Sequence, residues 1–510
     1  MAYLCYPKKD IYHTKQCDKC LKKFKRVCQF LNLMTLGLFP SHLLFYMFRS
    51  FKYVFKKGRI IMKNLHTNIL KRLDTIIKET ADHIHDFIDS KSAFTRKRKL
   101  DAFTLIKLTL NMQGNSLEKE LDDAFDNDNQ LMTASAYVQQ KSKLSPQCFA
   151  HILQCFNNQL IHIQLLDHKY RLFAIDGSDF NQLWNPNSKN KVTKQVPQPF
   201  CQIHVNAMYD LLNNTYQDCI FQPKAHMNER PAAVQLLKHL NIGPYIVMMD
   251  RGYTSFNLIE NCNRLDNCFY VIRTRIGKGA MKEIRTLPNC ECDQDISCRV
   301  TISGHYYVMH KDTEKIHLVI HHKHHYKKYF SKNSRDASWD FGDFCNVKFR
   351  ACKVRINDPD TGKDEWEVLL TNLSRQEFPL SRMKRLYHLR WGIESSFRKL
   401  KYDLGCIQFH SKQDDFIEME IYAHMIMFNT VSQINAQAYV PQSHCKYMYI
   451  INFKMACRII HKHYNCSSTD IIFLKVLRRI SRYTVPIRPG RKDKRNIKVK
   501  APVCFLYRVA

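Results

Sequence analysis

The segment Tyr387-His388-Leu389-Arg390-Trp391-Gly392-Ile393-Glu394-Ser395-Ser396-Phe397-Arg398-Lys399-Leu400-Lys401 has helical periodicity and two distinct faces. At about 100° per residue, Tyr387, Arg390, Glu394 and Lys401 fall within an arc of about 60°, and Leu386, Leu389, Ile393, Phe397 and Leu400 form the adjoining apolar stripe. One face is built to pack into a core; the other presents a single carboxylate among two cations and a phenol. A lone acid between fixed positive groups suits a metal ligand working beside a phosphate backbone. A solvated amphipathic helix with i,i+4 charge pairs has the same pattern, so the chemical reading needs further carboxylates elsewhere in the chain.

Two are well placed. At Tyr170 the period changes to that of strands: residues 172–175 form a short buried strand ending in Asp176-Gly177-Ser178. Residues 200–209 and 216–221 flank Leu211-Leu212-Asn213-Asn214 as a hairpin. Residues 228–240 read as a helix with Pro231 in its first turn, and 245–249 as a second buried strand that stops at Asp250-Arg251-Gly252-Tyr253. Strand, hairpin, helix, strand is the opening of a ribonuclease H-like α/β domain. Asp176 and Asp250 each end a buried strand, where side chains reach out of the core into a crevice. Asp before a glycine turn is also an ordinary capping residue; two so placed, followed by the Glu394 segment, favour catalysis.

Outward from this centre, residues 62–165 are helical throughout and form a helical DNA-binding domain. Segments 100–112 and 116–125, joined at Gln113-Gly114 with Asn115 as N-cap, read either as a helix-turn-helix DNA reader or as a plain helical hairpin. The catalytic domain takes 166–255 and 380–440. A β-rich insertion at 256–379 lies between them, with strands expected at 269–273, 298–302, 305–310, 316–320, 347–354 and 366–373. Its Trp339 is either a surface for stacking an extruded base or a buried aromatic. Residues 416–435 form an apolar helix behind the site, and 441–510 form a basic C-terminal region suited to DNA phosphate. Residues 1–61 stand apart as a basic and apolar extension: a membrane-like segment interrupted by Gln29, Asn32, Pro40, Ser41 and His42, or sequence preceding a true start at Met62.

Composition narrows the partners. The 510 residues are 45% hydrophobic and 25% charged, as in ordinary globular proteins, but the net charge is +33. Such a surplus favours polyanions, nucleic acid above acidic protein or membrane phosphate. Twenty irregularly spaced cysteines, several in apolar runs (Cys155, Cys201, Cys219), indicate reduced thiols in a cytosolic protein. Two loose cysteine clusters, Cys5, His13, Cys17, Cys20 and Cys28, and Cys262, Cys268, Cys290, Cys292 and Cys298, lack paired zinc-finger spacing. The histidines His310, His317, His321, His322, His324 and His325 have no carboxylate or cysteine recurring at ligand spacing, and read as solvated or phosphate-facing.

Tyr387, Arg390, Glu394 and Lys401 within Arg390-Trp391-Gly392-Ile393-Glu394, together with Ile175-Asp176-Gly177-Ser178 and Asp250-Arg251-Gly252-Tyr253, resemble the DDE-class bacterial insertion-sequence transposases with the Tyr-Arg-Glu-Lys motif, the insertion-sequence-four family. Residues 94–100 and Gly114-Asn115-Ser116-Leu117 are also similar to that family, and the likeness runs from about residue 90 to the C-terminus. The resemblance implies that Asp176, Asp250 and Glu394 are the catalytic acids and hold two Mg²⁺ ions, with Mn²⁺ able to substitute. One ion would activate water or a DNA 3′-hydroxyl, and the other would stabilise the leaving oxygen. Arg390 and Lys401 would grip phosphates at the transposon terminus, and Tyr387 would add a hydroxyl contact or a stacking surface. Three crowded carboxylates repel one another, so the metal-free site is expected to be poorly organised.

The implied function is cut-and-paste transposition at the element's own terminal inverted repeats. The implied partners are double-stranded DNA, as transposon ends and target, and a second copy in a homodimeric DNA complex, with no small-molecule substrate. The implied location is the bacterial cytoplasm, at the nucleoid. The rival readings are a catalytically inactive DNA-binding repressor derived from a transposase and a membrane-tethered nuclease.

Overall fold

The computed structural model describes residues 67–488 apart from 91, 97–99, 126–131, 162, 195, 197, 319–338, 358–363, 441, 443–445 and 465–467. By contacts the chain divides after Thr67, and every element below belongs to the unit from Asn68 onward. The extension at 1–61, the cluster His321 to His325 and the basic tail beyond Arg488 lie outside the described residues. Among the described residues no helix is long and apolar enough to cross a membrane.

Five helices come first: α1 (Ile69–Asp82), α2 (Ala102–Asn111), α3 (Leu117–Ala124), α4 (Ala134–Lys141) and α5 (Gln147–Asn158). Short polar side chains start them: Asn68, Asp101, Ser116 and Thr133 each accept a backbone N–H of the first turn. Ser116, not Asn115, is therefore the cap of α3. Its hydroxyl reaches Lys119 N, while Asn115 N donates to Glu120.

The sheet follows, with β1 (Arg171–Gln182), β2 (Lys191–Val192), β3 (Phe200–Asp210), β4 (Thr215–Pro223), helix α6 (Glu229–Lys238), β5 (Tyr245–Met249), helix α7 (Phe256–Arg264) and β6 (Cys268–Thr274). Next come the short helix α8 (Lys282–Arg285), β7 (Cys292–Thr301), helix α9 (Gly304–His310), β8 (Ile316–Leu318), β9 (Phe344–Asn357) and β10 (Asp364–Thr371). All ten strands share one sheet in the order β2-β3-β1-β5-β6-β10-β9-β7-β8, with β4 also paired to β3. β1, β5 and β6 are parallel, and β3 and β4 run antiparallel to their neighbours. β5, Tyr-Ile-Val-Met-Met, is buried on both faces, as a central parallel strand must be.

The chain then forms α10 (Leu380–His388), α11 (Trp391–Tyr402), the long α12 (Asp414–Gln437), β11 (Tyr449–Ile451), α13 (Phe453–Tyr464), α14 (Asp470–Ile480) and β12 (Thr484–Pro486). Strand alternation divides the interior. Phe173 and Ile175 of β1 face one core, with α6 and α7, while Ala174 and Phe180 face another, with α1 to α5 and α11 to α14. α12 is buried almost continuously over residues 416–434, and so behaves as a core helix. It is tied to the sheet where Asn429 Oδ1 accepts Tyr216 N at 2.7 Å and Asn429 Nδ2 donates to Tyr216 O at 2.8 Å.

Four sequence expectations change. The motif segment is two helices, broken at Leu389 and Arg390, where Arg390 N and Gly392 N bond three residues back instead of four. Gly392 packs closely there: a Cβ would stand 2.7 Å from Leu211 Cδ2. Leu389, expected in the apolar stripe, is exposed in consequence. β1 does not end at Asp176: it leaves β5 at Ile175 but stays paired with β3 as far as Gln182. Residues 305–310 are helix α9, not a strand, with Ser303 accepting Tyr306 N as its cap. Trp339 is buried, its indole N–H donating to the carbonyls of Phe341 and Gly342, and is no stacking surface.

Candidate active site

β1 and β5 set the first two acids side by side. Their last parallel pair is Ile175 with Met249, so Asp176 and Asp250 follow at equivalent positions on strands about 4.8 Å apart. Each carboxylate is turned by a backbone N–H, Gly177 N to Asp176 Oδ1 at 2.9 Å and Gly252 N to Asp250 Oδ1 at 2.7 Å. Glycine is required at 177: a Cβ would lie 2.4 Å from His204 Nε2 and 2.6 Å from Glu229 Oε1.

Arg390 brings in the third acid. Its buried guanidinium donates from Nη2 to Glu394 Oε1 at 2.6 Å and from Nη1 to Asp176 Oδ2 at 3.4 Å. Glu394 stands in the first turn of α11, and Arg390 immediately precedes that helix. Burial, opposed by Arg390 and reinforced by the charges of Asp250 and Glu394, pushes the Asp176 carboxyl up to about 7. The charge of each acid is thus felt at Asp176. Burial works against the Arg390 charge, but Tyr387, Glu394 and Asp176 outweigh it and raise its pKa.

The remaining motif residues close around this centre. Tyr387, buried at the end of α10, points its hydroxyl at Met249 O, 3.4 Å away, and its ring lies beneath Arg390 at 5.8 Å. Lys401 Nζ donates to Ser178 Oγ at 2.8 Å and to Asp179 O at 2.6 Å, and sits over the Phe180 ring. α11 is therefore anchored along β1 at both ends, through Arg390 and Lys401. Arg390 supplies positive charge between Asp176 and Glu394.

Sequence reasoning missed a second network behind the acids. Asp179 and His204 are register partners on β1 and β3; His204 Nδ1 meets Asp179 Oδ1 at 2.6 Å, and Lys224 Nζ meets Asp179 Oδ2 at 2.6 Å. His204 Nε2 lies 3.3 Å from Glu229 Oε1, at the start of α6. Burial lowers the His204 pKa, and Asp179 and Glu229 more than reverse this and raise it. The available signal was the hairpin register, which pairs 179 with 204 once β1 is extended past Asp176.

Beside Asp250 lies a cavity of about 490 Å³ lined by Arg251, Arg273, Thr274, Arg275, Ile276 and Trp366. It is cationic, although Arg273 is paired with Glu367 at 3.1 Å. The donor set Asp176, Asp250 and Glu394, all carboxylate oxygen, suits a hard divalent cation. Its oxygens are spread more widely than a closed ligand set: among the described residues, three ligand atoms come within 4.8 Å of one another at Glu283, Cys298 and His317.

No curated protein matches the chain. Among solved structures it is similar to the piggyBac transposase of a cryo-EM synaptic complex with hairpin DNA, at 12% identity and a TM-score of 0.39, with 82% of this chain and 83% of that chain covered. The family model described as the transposase DDE domain matches residues 167–430, a span that holds Asp176, Asp250 and Glu394. With just over half its length so matched, the chain belongs to the DDE-domain transposase family.

Proposed function

We propose that this transposase cleaves DNA and transfers strands at the terminal inverted repeats of its own insertion sequence, with Asp176, Asp250 and Glu394 as the catalytic acids. The observation that carries the reading is that Arg390 joins Asp176 to Glu394, while Asp176 and Asp250 follow the last paired residues of adjacent parallel strands. The order β4-β3-β1-β5-β6, three antiparallel strands and then two parallel ones reached through α6 and α7, supports a ribonuclease H-like catalytic body. The complete Tyr387, Arg390, Glu394 and Lys401 set supports placement in the insertion-sequence-four family. On this reading 166–255 and 380–440 are the catalytic domain, 256–379 its insertion, and 62–165 and the basic 441–510 the DNA-binding flanks.

Asp176, Asp250 and Glu394 would hold two Mg²⁺ ions, or Mn²⁺ in their place, which when bound activate the attacking oxygen and stabilise the leaving one. The chain's own residues do the positioning. Arg390, immediately before α11 and beside Asp176 and Glu394, would take a phosphate, since a guanidinium binds phosphate through two N–H groups. Lys401 fixes α11 to β1, and so keeps Glu394 in register with Asp176 while adding positive potential to the DNA track. Tyr387 supports the Arg390 plane from below. The arginines of the neighbouring cavity would continue the track beside Asp250. Two DNA ends must be joined, which favours a homodimer acting on double-stranded ends and target, in the bacterial cytoplasm at the nucleoid.

The test is incubation of purified protein with DNA bearing the inverted repeats that bracket its reading frame. Nicks at the termini in Mg²⁺ or Mn²⁺, abolished by Glu394→Ala, are expected. Cleavage that survives Glu394→Ala removes Glu394 from the chemistry. End-specific binding without cutting in any divalent metal points to a catalytically inactive repressor.

A further inference from the structure

Far along the sheet from the acids, three metal-ligating side chains of different chemistry meet in the interior. β7 and β8 are parallel, and Val300 is the partner of His317. Cys298 lies two residues before Val300, so strand alternation turns Cys298 and His317 to the same face. Glu283, from α8, covers that face beside the buried Ile284. One ligand atom from each of Glu283, Cys298 and His317 lies within 4.8 Å of the other two. His317 Nε2 is 2.8 Å from Glu283 Oε1. The residues are separated in sequence by 15 and 19 positions, which is why no ligand spacing was visible.

Two features set this trio apart from an ordinary buried ion pair. Glu283 Oε2 is buried without any hydrogen-bond partner, a costly condition for a carboxylate in an apolar core. Burial raises the Glu283 pKa and His317, with a smaller contribution from Lys315, lowers it below the usual value, yet no donor reaches Oε2. The third member is a thiol, which adds nothing to a carboxylate–imidazole pair but completes a sulfur, nitrogen and oxygen donor set.

We propose that Glu283, Cys298 and His317 bind one Zn²⁺ ion, distinct from the cations of the catalytic acids. Thiolate, imidazole and carboxylate together are zinc ligands, whereas a set of carboxylates alone selects Mg²⁺ or Mn²⁺. Zinc bonds of about 2.0–2.3 Å place tetrahedral donors roughly 3.3–3.7 Å apart, so the trio closes on an ion with small side-chain movements. Water takes the fourth position. The ion fastens α8, β7 and β8 together at the edge of the sheet, and supplies the partner that Glu283 Oε2 lacks.

The full-length protein is titrated with Zn²⁺ against a chromophoric chelator and, separately, loaded with Co²⁺. One equivalent of Zn²⁺ should bind in addition to any held by other cysteines, and Cys298→Ser and His317→Gln should each weaken that equivalent by at least about 100-fold, since loss of supporting residues alone costs 10–100-fold. Co²⁺ should give a thiolate charge-transfer band that Cys298→Ser removes. Glu283→Gln should weaken zinc while leaving the band in place. An unchanged zinc stoichiometry in folded Cys298→Ser and His317→Gln overturns the proposal. Should those variants fail to fold, wild-type protein that shows no cobalt–thiolate band overturns it equally. Because the readout is metal content and not DNA cleavage, failure here leaves the assignment of Asp176, Asp250 and Glu394 standing.

Discussion

The molecule buries carboxylates in two ways. In the core, Glu420 of α12 accepts from Lys141 Nζ at 2.9 Å through one oxygen and from His410 N and Nδ1 at 3.0 and 3.1 Å through the other. Burial alone would raise its pKa, but Lys141 and His410 reverse this and hold it far below the usual carboxylate range. At the strand ends, Asp176 is held by one backbone N–H and one long contact to Arg390, beside two further acids, and its pKa moves the other way. The first carboxylate has donors on both oxygens and joins α4 to α12. The second is left underpaired, with its charge resisted by its surroundings. On the proposed reading, a site for cations is built as an electrostatic deficit, and its cost is carried by well-satisfied contacts elsewhere.

The contrast breaks if the wrong acid proves expendable. Glu394→Gln should lower end cleavage by about 10³-fold or more while leaving the fold intact, since metal stabilisation of the transition state supplies several kcal/mol. Single-turnover cleavage together with a thermal melt checks both halves. Lys141→Met should have the reverse profile. It leaves Glu420 charged in a dry core and should cost about 3–5 kcal/mol in denaturant unfolding. The double change Lys141→Met, Glu420→Leu should recover much of that loss. Glu420 also predicts a pH dependence. Its folded pKa is depressed below the ordinary 4.5, so its stabilisation is full above that value and is lost as pH falls through the folded one.

The acids around Asp176 were legible in the sequence and the Glu420 pairing was not, for physical reasons. Asp176, Asp250 and Glu394 each stand where local pattern changes, at the end of a buried apolar run or on a helix face of mixed chemistry, and local pattern is what a sequence displays. Glu420 lies inside a segment that reads as apolar helix, and Lys141 is 279 residues away, so nothing local reports their pairing. The same limit hid Glu283 and Cys298 from His317. The break at Leu389 and Arg390 was invisible because the four motif residues keep helical spacing across it. The extent of β1 was missed because Asp176-Gly177 looks like a turn, yet pairing with β3 carries the strand through it.

Gly177 and Asp176 allow the comparison to be sharpened at smaller cost. Gly177→Ala pushes a methyl against His204 and Glu229 and should destabilise by about 1–3 kcal/mol, as overpacking does. Because Asp176 is turned by Gly177 N, cleavage should fall as well, which separates this change from Lys141→Met measured under conditions where both remain folded.

Asp176→Asn carries the smallest effect and the opposite sign. With a folded pKa of about 7 against an ordinary 3.8, Asp176 binds its proton more tightly in the folded chain. Its contribution is therefore fully present below about 3.8 and is lost as pH rises through about 7. In metal-free protein at pH 8, removing that charge should stabilise the fold by about 1 kcal/mol, and should flatten the slope of stability between pH 4 and 7. Added Mg²⁺ should stabilise the wild type and leave the asparagine variant nearly unmoved. Asp176→Asn protein that is less stable than wild type at pH 8 without metal would show that Arg390 satisfies Asp176 as fully as Lys141 satisfies Glu420, and the two carboxylates would then belong to one class.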